Sequence, residues 1–232
     1  ASPTPPRGTA MAAAERPLRF PEGATLVGGG ALDRDGFEAA RARAPRIVAA
    51  DGGANRLRLW GLRADAVIGD MDSVEDPARW AADGARMLEL AEQETTDLEK
   101  CLYATEAPRY LGVGFLGRRF DHTLAALHAL LRHAGKRVAL IGEEDVVMLA
   151  PPVWRARLAP GARVSFFPLR PVRGIASEGL RWPIDGLAFA IGERIGASNE
   201  AVAETVAARF DGPGMAAMVE RRFLDAALES LA

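Results

Sequence analysis

Val67-Ile68-Gly69-Asp70-Met71-Asp72-Ser73-Val74 reads as the end of a buried strand running into a loop. The apolar run from Ala66 to Ile68 has the length and composition of a buried strand. It breaks at Gly69, and two carboxylates follow one residue apart. On backbone that stays extended past the strand, Asp70 and Asp72 point to the same side. Two like charges that close repel unless a cation lies between them. A hard divalent ion such as Mg²⁺, which takes carboxylate and phosphate oxygens, suits such a pair. Asp76-Pro77 then offers an N-cap and first turn for a new helix. The motif therefore falls on a strand-to-helix loop, where open α/β sheets place their ligands. A bare Asp-x-Asp is more often a turn with solvated acids, so the neighbouring stretches decide.

Upstream, Ala24 to Val27 is a strand candidate ending in Gly28-Gly29-Gly30. Asp33 stands where a dinucleotide fingerprint needs its third glycine, so these glycines read as a tight turn. A helix is predicted over about residues 35–44, then a strand over 46–50 that runs into Asp51-Gly52-Gly53-Ala54-Asn55, with a helix through Leu57 and Trp60. Downstream of the opening motif a strand is predicted at about 86–90. In Gln93-Glu94-Thr95-Thr96-Asp97-Leu98-Glu99-Lys100, Thr96 and Glu99 form a capping box that starts a helix. Asp97 and Lys100 then project from one side of its first turn. A helix N-terminus favours anions, so Lys100 makes a phosphate site there, and Asp97 can hold a metal shared with the phosphate. The plainer alternative is an exposed ion pair. Only Lys100 and Lys136 among the 29 basic residues are lysines, which singles out a compact ammonium at this spot.

Strand 110–115 leads into Leu116-Gly117-Arg118-Arg119-Phe120-Asp121-His122 and a helix to about His133. Asp121 reads equally as a helix cap and His122 as a satisfied histidine. Arg119 beside a second acid fits an anionic ligand, because a guanidinium grips phosphate oxygens as a fork. Strands at 137–141 and 146–149 close this part. After Pro151-Pro152 the texture changes to short segments bounded by Gly, Pro or Asp, near 154–158, 163–167, 179–182, 187–191, 202–208 and 215–220. That spacing predicts an all-β sandwich or small barrel. Phe223, Leu224, Ala227, Leu228 and Leu231 share one face of a helix predicted over 222–231. The expected architecture is a mostly parallel, Rossmann-like α/β domain at 23–150, then a smaller all-β domain at 151–232.

Residues 1–22, rich in Pro, Ala and Gly, are expected to be a poorly ordered arm rather than a signal peptide, for want of a compact apolar run. Met11 within it is a candidate start, which would make the preceding residues a remnant. Over 232 residues, hydrophobic content is 49%, charged content 26% and net charge −2. With no basic field, nucleic-acid binding is not expected. No apolar run is long enough to span a membrane. A lone cysteine, Cys101, excludes an intrachain disulfide and a multi-cysteine zinc site, and fits a reducing, cytoplasmic setting.

Taken in order, these stretches resemble the thiamine pyrophosphokinase family. Its Asp-Gly-Gly-Ala-Asn loop matches Asp51 to Asn55, and its Gly-Asp-x-Asp-Ser matches Gly69 to Ser73. Its Gln-Asp-x-Thr-Asp-x-x-Lys matches Gln93 to Lys100 with Glu94 for the shorter acid. Its Gly-Gly-Arg-x-Asp-His matches Gly117 to His122 with Arg118 for the second glycine. Gly-Leu-Lys-Trp matches Gly179 to Trp182 with Arg181 for lysine, and Ser-Asn matches Ser198-Asn199. Pro183 after Trp182 and the terminal helix lie outside the pattern. The resemblance implies transfer of a pyrophosphoryl group from ATP to the hydroxyl of thiamine, releasing AMP, by a cytoplasmic homodimer with no nucleic-acid or membrane partner. It implies Mg²⁺ on Asp70, Asp72 and Asp97, with Lys100, Arg119 and Asp121 completing the catalytic set. Asp51, Asn55, Ser73, Lys100, Arg119 and His122 would lie around ATP, and Gln93, Trp182, Ser198 and Asn199 around thiamine. The alternatives are a pyrophosphokinase for another heterocyclic alcohol such as a pterin, a phosphatase with Asp70 as nucleophile, and a non-catalytic nucleotide- or thiamine-binding protein.

Overall fold

A computed structural model describes residues 16–231. Strand and helix alternate through its first part as β1 (Leu18–Arg19), β2 (Ala24–Val27), α1 (Arg34–Arg41), β3 (Arg46–Ala50), α2 (Gly53–Leu59), β4 (Ala66–Gly69) and α3 (Pro77–Ala82). They continue as β5 (Arg86–Glu89), α4 (Asp97–Ala104), β6 (Thr105–Glu106), β7 (Tyr110–Val113), α5 (Phe120–Arg132), β8 (Val138–Ile141) and β9 (Asp145–Leu149). The second part is β10 (Val153–Arg157), β11 (Arg163–Pro168), β12 (Val172–Glu178), β13 (Ala188–Phe189), β14 (Gly196–Glu200), β15 (Thr205–Phe210) and β16 (Met215–Glu220). A single 3₁₀ turn at Arg221–Phe223 and α6 (Leu224–Glu229) end it.

Six strands lie parallel in the order β5-β4-β3-β2-β7-β8. Strands buried on both faces read as near-continuous apolar runs, and β3 shows why. Ile47 and Ala49 enter the core shared with Phe37 of α1, Leu57 of α2 and Trp80 of α3. Val48 and Ala50 enter the opposite core, with Leu102 of α4 and Leu130 of α5. The chain moves outward from β2 to β5, then returns to build β7 and β8 on the other side of β2. The direction of winding therefore reverses between β2 and β7, and the C-terminal ends of these strands open a crevice there.

The same sheet continues past β8 through antiparallel β9, β16, β11 and β14, so one ten-stranded sheet crosses the boundary expected near residue 150. A second, four-stranded sheet in the order β10-β15-β12-β13 covers that extension as a sandwich. Trp154 of β10 and Phe210 of β15 both meet Phe166 of β11 edge-on, each at 5.5 Å between ring centres. Leu224 and Ala227 of α6 join the core on this side of the sheet.

The α/β part with its β appendage is the architecture predicted, and local differences have local causes. Residues 1–15 of the expected arm lie outside the described residues. Its remainder is packed: Leu18 and Phe20 are buried, and β1 pairs with β6, so structured chain starts before residue 22. Residues 179–182 are not a strand. Gly179 has φ +71°, which turns the chain out of β12, and only a single bridge joins Leu180 to Ala201. Strands β12 and β14 carry little apolar alternation and are not predicted. The terminal helix is shorter than predicted because its first turn is 3₁₀. Among the described residues no helix is long and apolar enough to cross a membrane.

Candidate active site

A cleft of about 1030 Å³ opens at the C-terminal ends of β2, β3, β4 and β7, over the crevice between β2 and β7. Its floor is built from close approaches of backbone. A Cβ on Gly114 would lie 2.5 Å from the Gly28 carbonyl oxygen, and one on Gly30 would lie 2.5 Å from that of Gly114. Gly30 N–H donates to the Gly114 carbonyl at 2.9 Å, which ties the two loops together. Glycine here serves contact between loops as well as turning.

The acids converge by strand pairing. Asp51 N–H donates to the Ile68 carbonyl at 2.8 Å, which extends the β3–β4 ladder by one residue and sets Asp51 over the end of β4. A Cβ on Gly69 would come within 2.7 Å of the Asp51 Cβ, so the glycine of the opening motif makes room for this acid. Asp51, Asp70 and Asp72 each offer a carboxylate oxygen, and these atoms all lie within 4.8 Å of one another. Asp51 is buried, and its Oδ1 has no hydrogen-bond partner. A buried carboxylate oxygen left unpaired is costly, and a divalent cation held by Asp51 with the less buried Asp70 and Asp72 would satisfy it. The donor set is all oxygen, which fits Mg²⁺.

The motif loop is held from both sides. Asn55 of α2 donates through Nδ2 to the Ser73 carbonyl at 2.8 Å, and its Oδ1 accepts from Glu75 N–H at 2.9 Å. Both ends of its amide are thereby engaged in positioning the loop. Ser73 Oγ donates to Asp72 Oδ1 at 2.9 Å. Gln93 Nε2 donates to Asp70 Oδ2 at 2.8 Å, and that hydrogen bond, together with the nearby Lys100 ammonium, holds the Asp70 carboxyl below its ordinary range.

Helix α4 begins with the predicted capping box, Thr96 and Glu99 each bonding the other's backbone N–H. That places Lys100 under the acids, 2% exposed, with Nζ 3.5 Å from Asp70 Oδ2 and 4.0 Å from Asp97 Oδ1. The lysine is buried, unlike the exposed pair weighed as the plainer alternative. Asp97 stands beside the three-acid cluster. Its partial burial, then the negative charge of Asp51, pushes its pKa up to about 6, against the pull of Lys100.

Arg119 and Asp121 lie at the open side of the same cleft and pair with each other at 2.6 Å, both exposed. The guanidinium's hydrogen bond holds the Asp121 carboxyl below its usual range. His122 also lines the cleft, in the first turn of α5. Trp182, Ser198 and Asn199 do not line it. They form a separate group, in which Asn199 Nδ2 donates to the Trp182 carbonyl at 2.7 Å and Trp182 N–H donates to Asn199 Oδ1 at 3.2 Å. Trp182 is left 56% exposed. Of the expected residues, the structure thus gathers Asp51, Asn55, Asp70, Asp72, Ser73, Gln93, Asp97, Lys100, Arg119, Asp121 and His122 around one cleft. Sequence order does not set Asp51 beside Asp70 and Asp72; the fold does. The left-handed φ of +44° just after β3 is how the fold aims it there.

Residues 37–141 match the family described as thiamin pyrophosphokinase, catalytic domain, and residues 155–213 match thiamin pyrophosphokinase, vitamin B1 binding domain. The chain is 30% identical over 198 residues to thiamine pyrophosphokinase 1 of Oryza sativa subsp. japonica, covering 71% of this chain and 75% of that relative. The fold is shared with solved structures. Thiamin pyrophosphokinase from Candida albicans aligns with a TM-score of 0.74 at 17% identity, over 88% of this chain and 92% of that one. Thiamin pyrophosphokinase from Geobacillus thermodenitrificans aligns at 0.70 and 22% identity, over 85% and 96%.

Proposed function

The chain belongs to the thiamin pyrophosphokinase family, and we propose that its cleft transfers a pyrophosphoryl group from ATP to the hydroxyl of thiamine, giving thiamine diphosphate and AMP. The observation that carries this reading is the convergence of Asp51, Asp70, Asp72, Asp97 and a buried Lys100 at the carboxyl ends of parallel strands. Comparison with known proteins favours this function over a pterin pyrophosphokinase or a non-catalytic binding protein. The same comparison favours it over a phosphatase with Asp70 as nucleophile.

Asp51, Asp70 and Asp72 would hold Mg²⁺, with Asp97 at the edge of the set. The bound ion would supply electrostatic neutralisation of phosphate oxygens. The rest belongs to the protein's own groups. Gln93 keeps Asp70 oriented, and Asn55 and Ser73 keep Asp72 in place. Lys100 Nζ and the Arg119 guanidinium offer positive charge to the polyphosphate from two sides. Such fixed charges contribute most where phosphoryl groups move, because they need no reorganisation as the charge shifts. An acid-rich cleft also suits the cationic ring of thiamine.

Residues 23–150 would then form the catalytic unit and 151–232 the thiamine-binding and dimer-forming unit. Support for a homodimer comes from the separation of Trp182, Ser198 and Asn199 from the cleft. It also comes from β14, an edge strand with the exposed apolar residues Ile195 and Val202 close by in sequence. Trp182 of the partner subunit would cover the organic rings of thiamine. A cytoplasmic location fits the single, buried cysteine. The test is to incubate the protein with ATP, Mg²⁺ and thiamine and identify the products. AMP with thiamine diphosphate is expected, whereas ADP or free phosphate alone would overturn the proposal.

A further inference from the structure

Arg118 occupies the loop between β7 and α5 with a left-handed φ of +57°, directly after Gly117 at +75°. Glycine adopts that conformation freely and arginine does not, so local backbone preference gives no reason for an arginine here. The side chain lines the cleft and spans it: Nη1 lies 3.4 Å from the Gly29 carbonyl, joining the β7 loop to the β2 loop across the crevice. That is a long, neutral contact for a group able to make five donor bonds.

The other cations of the cleft differ. Lys100 is buried against Asp70, and Arg119 already shares its charge with Asp121. Arg118 is exposed and forms no ion pair among the described residues; the half-buried Arg56 on α2 forms none either, but Arg118 is the one bonded across the β2–β7 crevice. A strongly hydrogen-bonding cation without a carboxylate, held over backbone loops that only glycine can build, is arranged for an anion entering from solvent.

We propose that Arg118 is an additional phosphate-binding residue of this cleft, exchanging its Gly29 contact for an oxygen of the nucleotide's polyphosphate; this rests on the ATP reading above. The expected consequence is a chain that depends for nucleotide affinity on a side chain the family pattern replaces with glycine.

The experiment measures ATP binding with Mg²⁺ by calorimetry, alongside melting temperature, for the wild type, Arg118→Gly and Arg118→Lys. Arg118→Gly should raise the ATP Kd by about tenfold, the effect of losing one charge-assisted contact. Its melting temperature should stay level or rise, because glycine relieves the left-handed backbone. Arg118→Lys should retain part of the affinity. The KM for thiamine should be unchanged in both variants. Wild-type and Arg118→Gly proteins with equal ATP affinity would overturn the role of Arg118 and leave the nucleotide reading standing. A wild-type protein that binds no ATP would overturn both.

Discussion

Asp51 carries a left-handed backbone, a buried side chain and an unpaired carboxylate oxygen at the same position. Each costs stability, the backbone alone about 1 kcal/mol. Such costs persist where surrounding structure enforces them for a function. Asp51→Asn should therefore lower turnover at least about a hundredfold at saturating Mg²⁺, while the metal-free protein melts no lower than the wild type. Unchanged kcat would remove Asp51 from the metal set. Asp97 gives a second expectation at this scale. Its folded-state pKa of about 6 lies above the ordinary 3.8, so between those values the folded protein holds a proton that the unfolded chain releases. Its contribution to stability is present at low pH and is lost as pH rises through that window. The side chain is 42% exposed, so solvent screening keeps the effect modest. Metal-free protein should show this as a fall in melting temperature from pH 4 to pH 6.5, reduced in Asp97→Asn. Added Mg²⁺ should raise melting more at pH 7 than at pH 5. A wild type and Asp97→Asn with parallel pH profiles would refute this. Asp70 and Asp72 were legible because they lie one residue apart. Asp51 was not legible as their partner, because the β3–β4 pairing that joins them is a contact between strands.

The elements that position the site are of two kinds. Helix α4 declares itself locally: Thr96, Glu99, Asp97 and Lys100 all fall within five residues, and cap and site follow from one turn of geometry. The loops after β2 and β7 do not, because Gly28–Gly30 and Gly114 acquire their meaning only when the two strands lie side by side. Read alone, the glycines said turn. In the fold they also let two backbones touch. Gly114→Ala and Gly61→Ala separate the two requirements, since both positions have positive φ, +77° and +66°, but nothing lies within 4 Å of a Cβ on Gly61. Gly61→Ala should cost about 1 kcal/mol from backbone conformation alone. Gly114→Ala should cost about 3 kcal/mol, because the Gly28 carbonyl must also move. Denaturant melts give both values, and equal losses would mean that the loop contact is unimportant. Strands β12 and β14 escaped prediction for a related reason. Val172–Glu178 has only two large apolar residues, Val172 and Ile175, and Gly196–Glu200 has none, and they are strands because β15 and β11 offer them a ladder.

Across the whole molecule, the arrangement that sequence order hides is the ten-stranded sheet. Its β9–β16 pairing joins the end of the α/β part to a strand near the C-terminus and makes β14 an outer edge. The composition change after Pro151-Pro152 marks a real change of architecture without revealing that the sheet is shared. Trp182, Ser198 and Asn199 do not line the acid cleft of their own chain, and the proposed homodimer is the arrangement that would bring both groups to one reaction. Asp72→Asn should be inactive through the cleft and Trp182→Ala through loss of the ring-covering surface. Trp182 suits the test better than Asn199, because its exposed side chain can be cut back without disturbing the backbone hydrogen bonds that Asn199 makes. Mixed under conditions that exchange subunits, half of the dimers become heterodimers. Each of these pairs an intact Asp72 from one chain with an intact Trp182 from the other. Activity should then return to about a quarter of the wild-type level, since a two-fold dimer has two sites and only one in each heterodimer is whole. If each chain instead works alone, or Trp182 serves its own subunit's cleft, both sites of every heterodimer carry a defect and mixing restores nothing. Failure to recover activity once exchange has been demonstrated by mass, or a protein that sediments as a monomer at assay concentration, would refute the shared site.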